Sequence, residues 1–288
     1  MTSVLYDSPG PRAIRRSRIV GVVGTLAIIA LLGWALWSMY SRGLFDDRWE
    51  IFVDPPKGQE AADVWSALLI RGLGATLLAG VIAAPIALLL GTLGVSLRRS
   101  TLRPVRWATT VVIELFRGLP VVLMMFFILL VFGVSPLWAV VAGLVLYNTA
   151  IFAEILRAGL AALPRGQREA ALAVGMTPLQ SFLSVELPQA VRLMVPSLVS
   201  QLVVLLKDSS LGFIVGYAEL LRTIRLNSSF FGPDTLVPYF FVGAAIYIGL
   251  NLALSRLAVW LERRGGSRRT AKETPVATSS ATAAGPDN

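Results

Sequence analysis

The chain contains no cysteine and no histidine. The first absence excludes disulfides, thiolate nucleophiles and thiolate metal sites. The second removes imidazole ligands, histidine-based catalytic triads and the usual titration switch near neutral pH. Charge is scarce as well: 15% of the 288 residues are charged and 55% are hydrophobic, with a mean hydropathy of +0.70. A soluble domain of this length needs a more polar surface, so composition places the chain among membrane proteins. No GxxxxGK[ST] run occurs, so any ATP-driven function needs a separate nucleotide-binding polypeptide.

The charge that is present is unevenly placed. The net charge is +9, but Arg12, Arg15, Arg16 and Arg18 precede the first apolar run, Arg98, Arg99, Arg103 and Arg106 lie between two later ones, and Arg263, Arg264, Arg268, Arg269 and Lys272 follow the last. Basic clusters flanking apolar runs set membrane topology, whereas a nucleic-acid binder shows a basic face with interleaved aromatics. Nucleic acid is therefore not an expected partner.

Long apolar runs dominate what remains. Residues 19–39 are close to the ~20 needed to cross ~30 Å of hydrocarbon. The run exceeds a cleaved signal core and lacks a small-x-small cleavage site, so it reads as a retained anchor. Residues 41–66 are acidic (Asp46, Asp47, Glu50, Asp54, Glu60, Asp63) and belong outside by the Lys/Arg bias. Further spans are predicted over 72–97, with Pro85 inside, and over 107–132, 137–156, 191–216 and 239–261. The tight turn 133–136 joins the third to the fourth. Segment 157–190 is too charged to span and lies inside. Segment 217–238, with Arg222, Arg225 and Asp234, is expected as an outside loop.

The expected fold is thus an all-α membrane protein with six transmembrane helices and both termini cytoplasmic. It divides into a basic cytoplasmic N-terminus (1–18), an anchor (19–39), an acidic extracytoplasmic loop (40–71), a transmembrane domain (72–262) and a basic tail (263–288), disordered beyond Arg269 by its Ala/Ser/Thr-rich composition. No internal repeat is visible, which weighs against secondary transporters built from inverted halves.

The most informative segment is cytoplasmic, residues 165–190. Arg165 to Val174 reads as an amphipathic helix with Ala170, Ala171 and Val174 on one face. Gly175 supplies the left-handed conformation that ends a helix, Thr177 an N-cap and Pro178 a first-turn proline. The second helix is predicted to end before Leu187–Pro188, since a residue preceding proline avoids the helical region. Helix, glycine hinge and helix make a compact docking knob rather than a plain loop.

Here the sequence resembles a known family. Glu169-Ala170-Ala171, then Gly175, then Val185-x-Leu187-Pro188 resembles the EAA loop of ABC-importer permeases, with Val185 where isoleucine is usual. Three more stretches resemble the polar amino acid group, which handles histidine, glutamine, glutamate and arginine. They are Glu114-Leu115-Phe116-Arg117-Gly118-Leu119-Pro120, Tyr147 to Arg157, and Leu206-Lys207-Asp208-Ser209-Ser210-Leu211.

The resemblance implies a five-helix type I permease core plus an extra N-terminal helix, in a bacterial cytoplasmic membrane. It implies a transport subunit rather than an enzyme, with no catalytic, metal or cofactor site of its own; ATP and Mg would be used by a partner ATPase. The implied partners are cytoplasmic ABC ATPase subunits, a second permease (a copy or a paralogue), an extracytoplasmic amino-acid-binding protein and lipid. Glu169, Arg168, Ala170, Ala171, Gly175, Leu187 and Pro188 are the implied ATPase-coupling residues, Glu169 pairing with a basic group there. The alternatives are an ion-gradient-driven secondary transporter and a non-transporting scaffold or sensor subunit.

Ionisable groups inside spans are functional candidates, because charge near the bilayer centre costs at least ~2.5 kcal/mol unless paired or hydrated. Glu114 and Arg117 sit three apart on a helix and can pair, as can Glu154 and Arg157. The same four residues also suit helix ends that reach headgroups. Lys207 and Asp208 are expected deep in their span, as an internal pair or a pathway element. Asn148 either meets a substrate's ammonium or carboxylate or bonds a neighbouring helix. Gly118 and Pro120 are expected to loosen the third span beside Arg117.

Overall fold

The computed structural model describes residues 10–41, 43, 47–164 and 166–266. The tail expected to be disordered, the first residues of the basic N-terminus and Arg165 lie outside the described residues. Among the described residues all regular structure is helical. The chain forms two compact units. One runs through Leu78 and takes in Ser210–Ile248; the other comprises Ala79–Ser209 and the chain from Gly249 on.

In the first unit, α1 (Pro11–Ser41) carries four arginines in its first turns, is apolar around its whole circumference from Ile19 to Trp37, and buries no residue. That suits a helix whose surroundings are hydrocarbon. The acidic segment that follows is more than a loop. A 3-10 turn (Asp47–Phe52) buries Ile51 and Phe52 against Val64, Leu68, Leu220, Ile224 and Tyr239. The next helix begins at Ala61, eleven residues before the start predicted for the second span, because Glu60 and Asp63 form a capping box there. It runs from α2 (Ala61–Ser66) through a π-helical turn (Ala67–Leu73) into α3 (Gly74–Leu97).

In the second unit, the third predicted span is two helices, α4 (Arg103–Gly118) and α5 (Val121–Phe132), bent by 103°. Sequence predicted a loosened helix; the observed break is complete. Leu119 is extended (φ −89, ψ 136) because Pro120 disfavours the helical region before it, and Pro120 lacks the N–H needed to continue the ladder. Gly133, at φ 61, closes α5 before α6 (Pro136–Ala161). α7 (Gly166–Ala173) and α8 (Pro178–Ser181) form the predicted knob.

The chain does not stop at Leu187–Pro188 as predicted. It passes through a π-helical turn (Phe182–Glu186) into α9 (Leu187–Asp208). The wider turn absorbs the proline: the Leu187 N–H bonds the Phe182 carbonyl five residues back, and Pro188 falls in the first turn of α9, where an N–H is dispensable.

A 3-10 turn (Ser209–Phe213) leads back to the first unit, where the predicted outside loop is instead mostly helix, α10 (Leu220–Phe231). Its Leu220 and Ile224 join the cluster around Ile51 and Phe52, an apolar face that a charge-based reading overlooks. The last helix is α11 (Leu236–Gly266). Among the described residues, five helices are long and apolar enough to cross a membrane, or six if the bent α4–α5 pair is one broken span.

Candidate functional site

The knob is built from local rules. α7 closes at Gly175 (φ 85), with the Met176 N–H on the Ala171 carbonyl at 3.2 Å. Thr177 and Gln180 cap the next helix reciprocally, with the Gln180 N–H donating to Thr177 Oγ1 at 3.3 Å and the Thr177 N–H to Gln180 Oε1 at 2.9 Å. Ala171 alone of α7 is buried, while Arg168, Glu169, Ala170 and Gly175 are exposed and Leu187 and Pro188 are half-buried. Val174, which shares helical spacing with Ala170 and Ala171, is 76% exposed, because it follows the last helical residue where the chain is already turning into Gly175. With Leu179 and Leu183 it adds exposed apolar surface to the knob.

Beneath the knob, Arg99 forms an ion pair with the buried Glu186 at 2.6 Å and lies 5.3 Å over the Phe182 ring. Ser181 Oγ donates to the other Glu186 oxygen at 3.2 Å. Sequence reading took Arg99 only as a topology signal and passed over Glu186.

The four ionisable residues on α4 and α6 come together with a fifth that was missed. Glu114 pairs with Arg117 at 2.6 Å and Glu154 with Arg157 at 2.8 Å, as the three-residue spacing predicted. Arg98, in the turn after α3, donates to Glu154 and also reaches Glu114 at 3.3 Å. Arg117 stands 3.9 Å from Glu154. The Arg98 side chain is 10% exposed and Glu154 17%, whereas Glu114 and Arg117 are 46% and 45% exposed. The cluster therefore has a buried root and an open rim.

Arg98, Arg117 and Arg157 against Glu114 and Glu154 leave an excess of one positive charge (three minus two). Close helix packing assembles it. A Cβ on Gly91 would stand 2.8 Å from Phe152 Cβ and 3.1 Å from the Ala153 nitrogen, so only glycine lets α3 approach α6 this tightly. Ile113 packs on Ala150 and Ala153 to seat α4 on the same helix. Arg98 and Glu154 are 56 residues apart, and no local pattern signals the pair.

Asn148 is fully buried; its amide nitrogen donates to the Leu144 carbonyl at 2.8 Å and its oxygen accepts from Gln201 on α9 at 2.9 Å. Lys207 and Asp208 do not sit deep within α9. They occupy its last turn, Lys207 exposed and Asp208 half-buried, because the helix starts at Leu187 and ends before the 3-10 turn.

In the first unit a second carboxylate escaped the sequence reading. Glu219 is fully buried at the N-cap of α10. It accepts from the N–H groups of Leu221 and Arg222, both at 2.8 Å, and from the Tyr247 hydroxyl of α11 at 2.9 Å. Thr76 Oγ1 accepts from the Leu220 N–H at 3.3 Å beside it. Burial pushes the Glu219 carboxyl above its ordinary range, with the three donors and Arg222 pulling the other way. The available clue was an acidic residue directly before the apolar-periodic run of α10.

Residues 76–265 match the family described as binding-protein-dependent transport system inner membrane component. The glutamate transport system permease protein of Corynebacterium glutamicum is 40% identical over 235 residues, covering 78% of this chain and 82% of that protein. A glutamate/aspartate import permease protein of Escherichia coli O157:H7 is 34% identical, covering 69% of this chain and 97% of that one. A crystal structure of an amino acid ABC transporter with histidines superposes with a TM-score of 0.64 at 31% identity, covering 71% of this chain and 97% of that one.

Proposed function

Because this chain belongs to the binding-protein-dependent transport system inner-membrane components, we propose that it carries an acidic amino acid across the cytoplasmic membrane as the permease subunit of an ABC importer. The observation that carries the substrate class is the likeness to glutamate and glutamate/aspartate permeases. The single positive charge in excess at the Arg98–Glu154 cluster supports it, since an anionic amino acid complements that charge. Arg117, Glu114, Glu154, Asn148, Lys207 and Asp208 remain the proposed pathway residues, with Arg98 added.

In this proposal the α4–α5 pair is one broken span, so that six spans place both ends of the chain in the cytoplasm. Spans formed within 72–262 make the pathway, and residues 19–39 anchor the chain. The partners are cytoplasmic ATPase subunits using ATP and Mg, a second permease and an extracytoplasmic binding protein. Glu169, Arg168, Ala170, Ala171 and Gly175, with the exposed Val174, Leu179 and Leu183, form the face offered to the ATPase. ATP draws the two ATPase subunits together, the docked knobs follow, and the permease pair moves between inward- and outward-facing states. The driving free energy is ATP's preference for one of those states.

The test is uptake of labelled glutamate into vesicles holding the chain with its ATPase and binding protein. Glu169→Lys and Gly175→Asp should leave the protein in the membrane while uptake per ATP hydrolysed falls at least about tenfold, a loss of ~1.4 kcal/mol in coupling. Normal uptake by both variants overturns the coupling role; absence of ATP-dependent uptake by the wild type overturns the transport function.

A further inference from the structure

Two consecutive arginines in the turn after α3 point to different machines. Arg98 reaches Glu154 on α6, with which it forms the less exposed root of the proposed pathway cluster, and Glu114 on α4 at its open rim. Arg99 reaches the underside of the knob, paired with Glu186 and stacked over Phe182. Phe182 and Glu186 are the first and last residues of the π-helical turn that joins the knob to α9, so one guanidinium grips both ends of that turn. π turns inside α-helices are frequent at functional sites.

We infer that the Arg98–Arg99 turn is a relay: Arg99 takes up displacement of the knob and Arg98 delivers it to Glu154 and Glu114. This rests on the proposed transport function and names two positioning residues within it. The geometry leaves little slack. Glu186 is buried and doubly engaged, by Arg99 at 2.6 Å and by Ser181 at 3.2 Å, so it cannot move with the knob without pulling Arg99 or losing its counterion. Arg98 and Arg99 share one planar peptide unit, so a displacement of the backbone at one is carried to the other. Arg98 meanwhile has its Nε buried without a partner, the mark of a side chain held by its carboxylates rather than by a completed set of bonds. A small displacement of the turn therefore changes which carboxylate Arg98 favours, and Arg117 and Arg157 share those carboxylates. The state of the ATPase would thus be read at the pathway as a redistribution of ion pairs.

The experiment is a double-mutant cycle in the complete reconstituted transporter, reading glutamate taken up per ATP hydrolysed. Arg99→Gln and Glu186→Gln should each lower that ratio about tenfold while hydrolysis continues, and the double variant should be no worse than either single. The exchange Arg99→Glu with Glu186→Arg should recover part of the ratio, which a loss of fold would not allow. Assembly with the ATPase, measured by co-purification, separates folding from coupling, and Arg99→Lys supplies a milder variant that keeps the charge. Singles that couple like the wild type overturn the relay, as do singles whose losses multiply in the double variant. A wild type without ATP-dependent uptake overturns the transport function and the relay with it.

Discussion

Two glutamates, Glu154 half-buried and Glu219 fully buried, are held in opposite ways. Glu154 is surrounded by guanidinium groups, from Arg98 and Arg157 and, at 3.9 Å, Arg117. Glu219 has neutral donors only, two backbone N–H groups and the Tyr247 hydroxyl. Long cationic side chains can exchange carboxylates when helices shift, whereas backbone N–H groups at a helix N-terminus cannot leave. Glu154 thus belongs to a rearrangeable cluster and Glu219 to a fixed joint that pins the start of α10 to α11. The two carboxylates differ in the mobility of their partners as well as in their burial.

The contrast can be broken most severely at Glu154. Glu154→Gln leaves Arg98, buried and already short of a partner, without its main counterion. The expected loss is about 3–5 kcal/mol together with transport, measured by thermal unfolding in detergent and by uptake. If stability and uptake both survive, the cluster is not held by this carboxylate.

Glu219→Ala should come next, at about 2–4 kcal/mol, because it strips a helix cap and leaves two backbone donors and a hydroxyl unpaired. Glu219→Gln sharpens the comparison through pH. The Glu219 carboxyl is raised by burial, so its contribution is fully present below the unfolded pKa and is lost as pH rises through the higher folded one. Subtracting the variant's stability from the wild type's should give a difference that falls as pH rises just above 4.5 and is flat at higher pH. A difference that rises with pH instead would show that the donors outweigh burial.

The smallest effect is expected at Glu114, which is 46% exposed and shares its cations with Glu154. Glu114→Ala should cost under about 1 kcal/mol of stability. A loss as large as that of Glu154→Gln would mean that rim and root of the cluster act as one.

Much of this was legible before any coordinates. Gly175, Thr177 and Pro178 announced the knob because capping is local chemistry, settled within a few residues. The same locality made Glu114–Arg117 and Glu154–Arg157 readable as helix pairs. Pro120 and Pro188 show where such reasoning divides. Both prolines disfavour the preceding helical residue, yet one breaks its helix by 103° and the other is absorbed by a π turn. Sequence names the disturbance; the packing of the neighbouring helices decides how it is resolved.

By itself the sequence determined a multi-pass helical membrane protein, the position and punctuation of its knob, and the family to which its motifs point. Each follows from interactions between residues close in the chain, or from the requirement that long apolar runs leave water. Only the tertiary structure decided that Arg98 meets Glu154, that Arg99 meets Glu186, and that Glu219 is buried under Tyr247. Those partners lie 56, 87 and 28 residues apart, and charge does not specify its partner until helices such as α3 and α6 have packed.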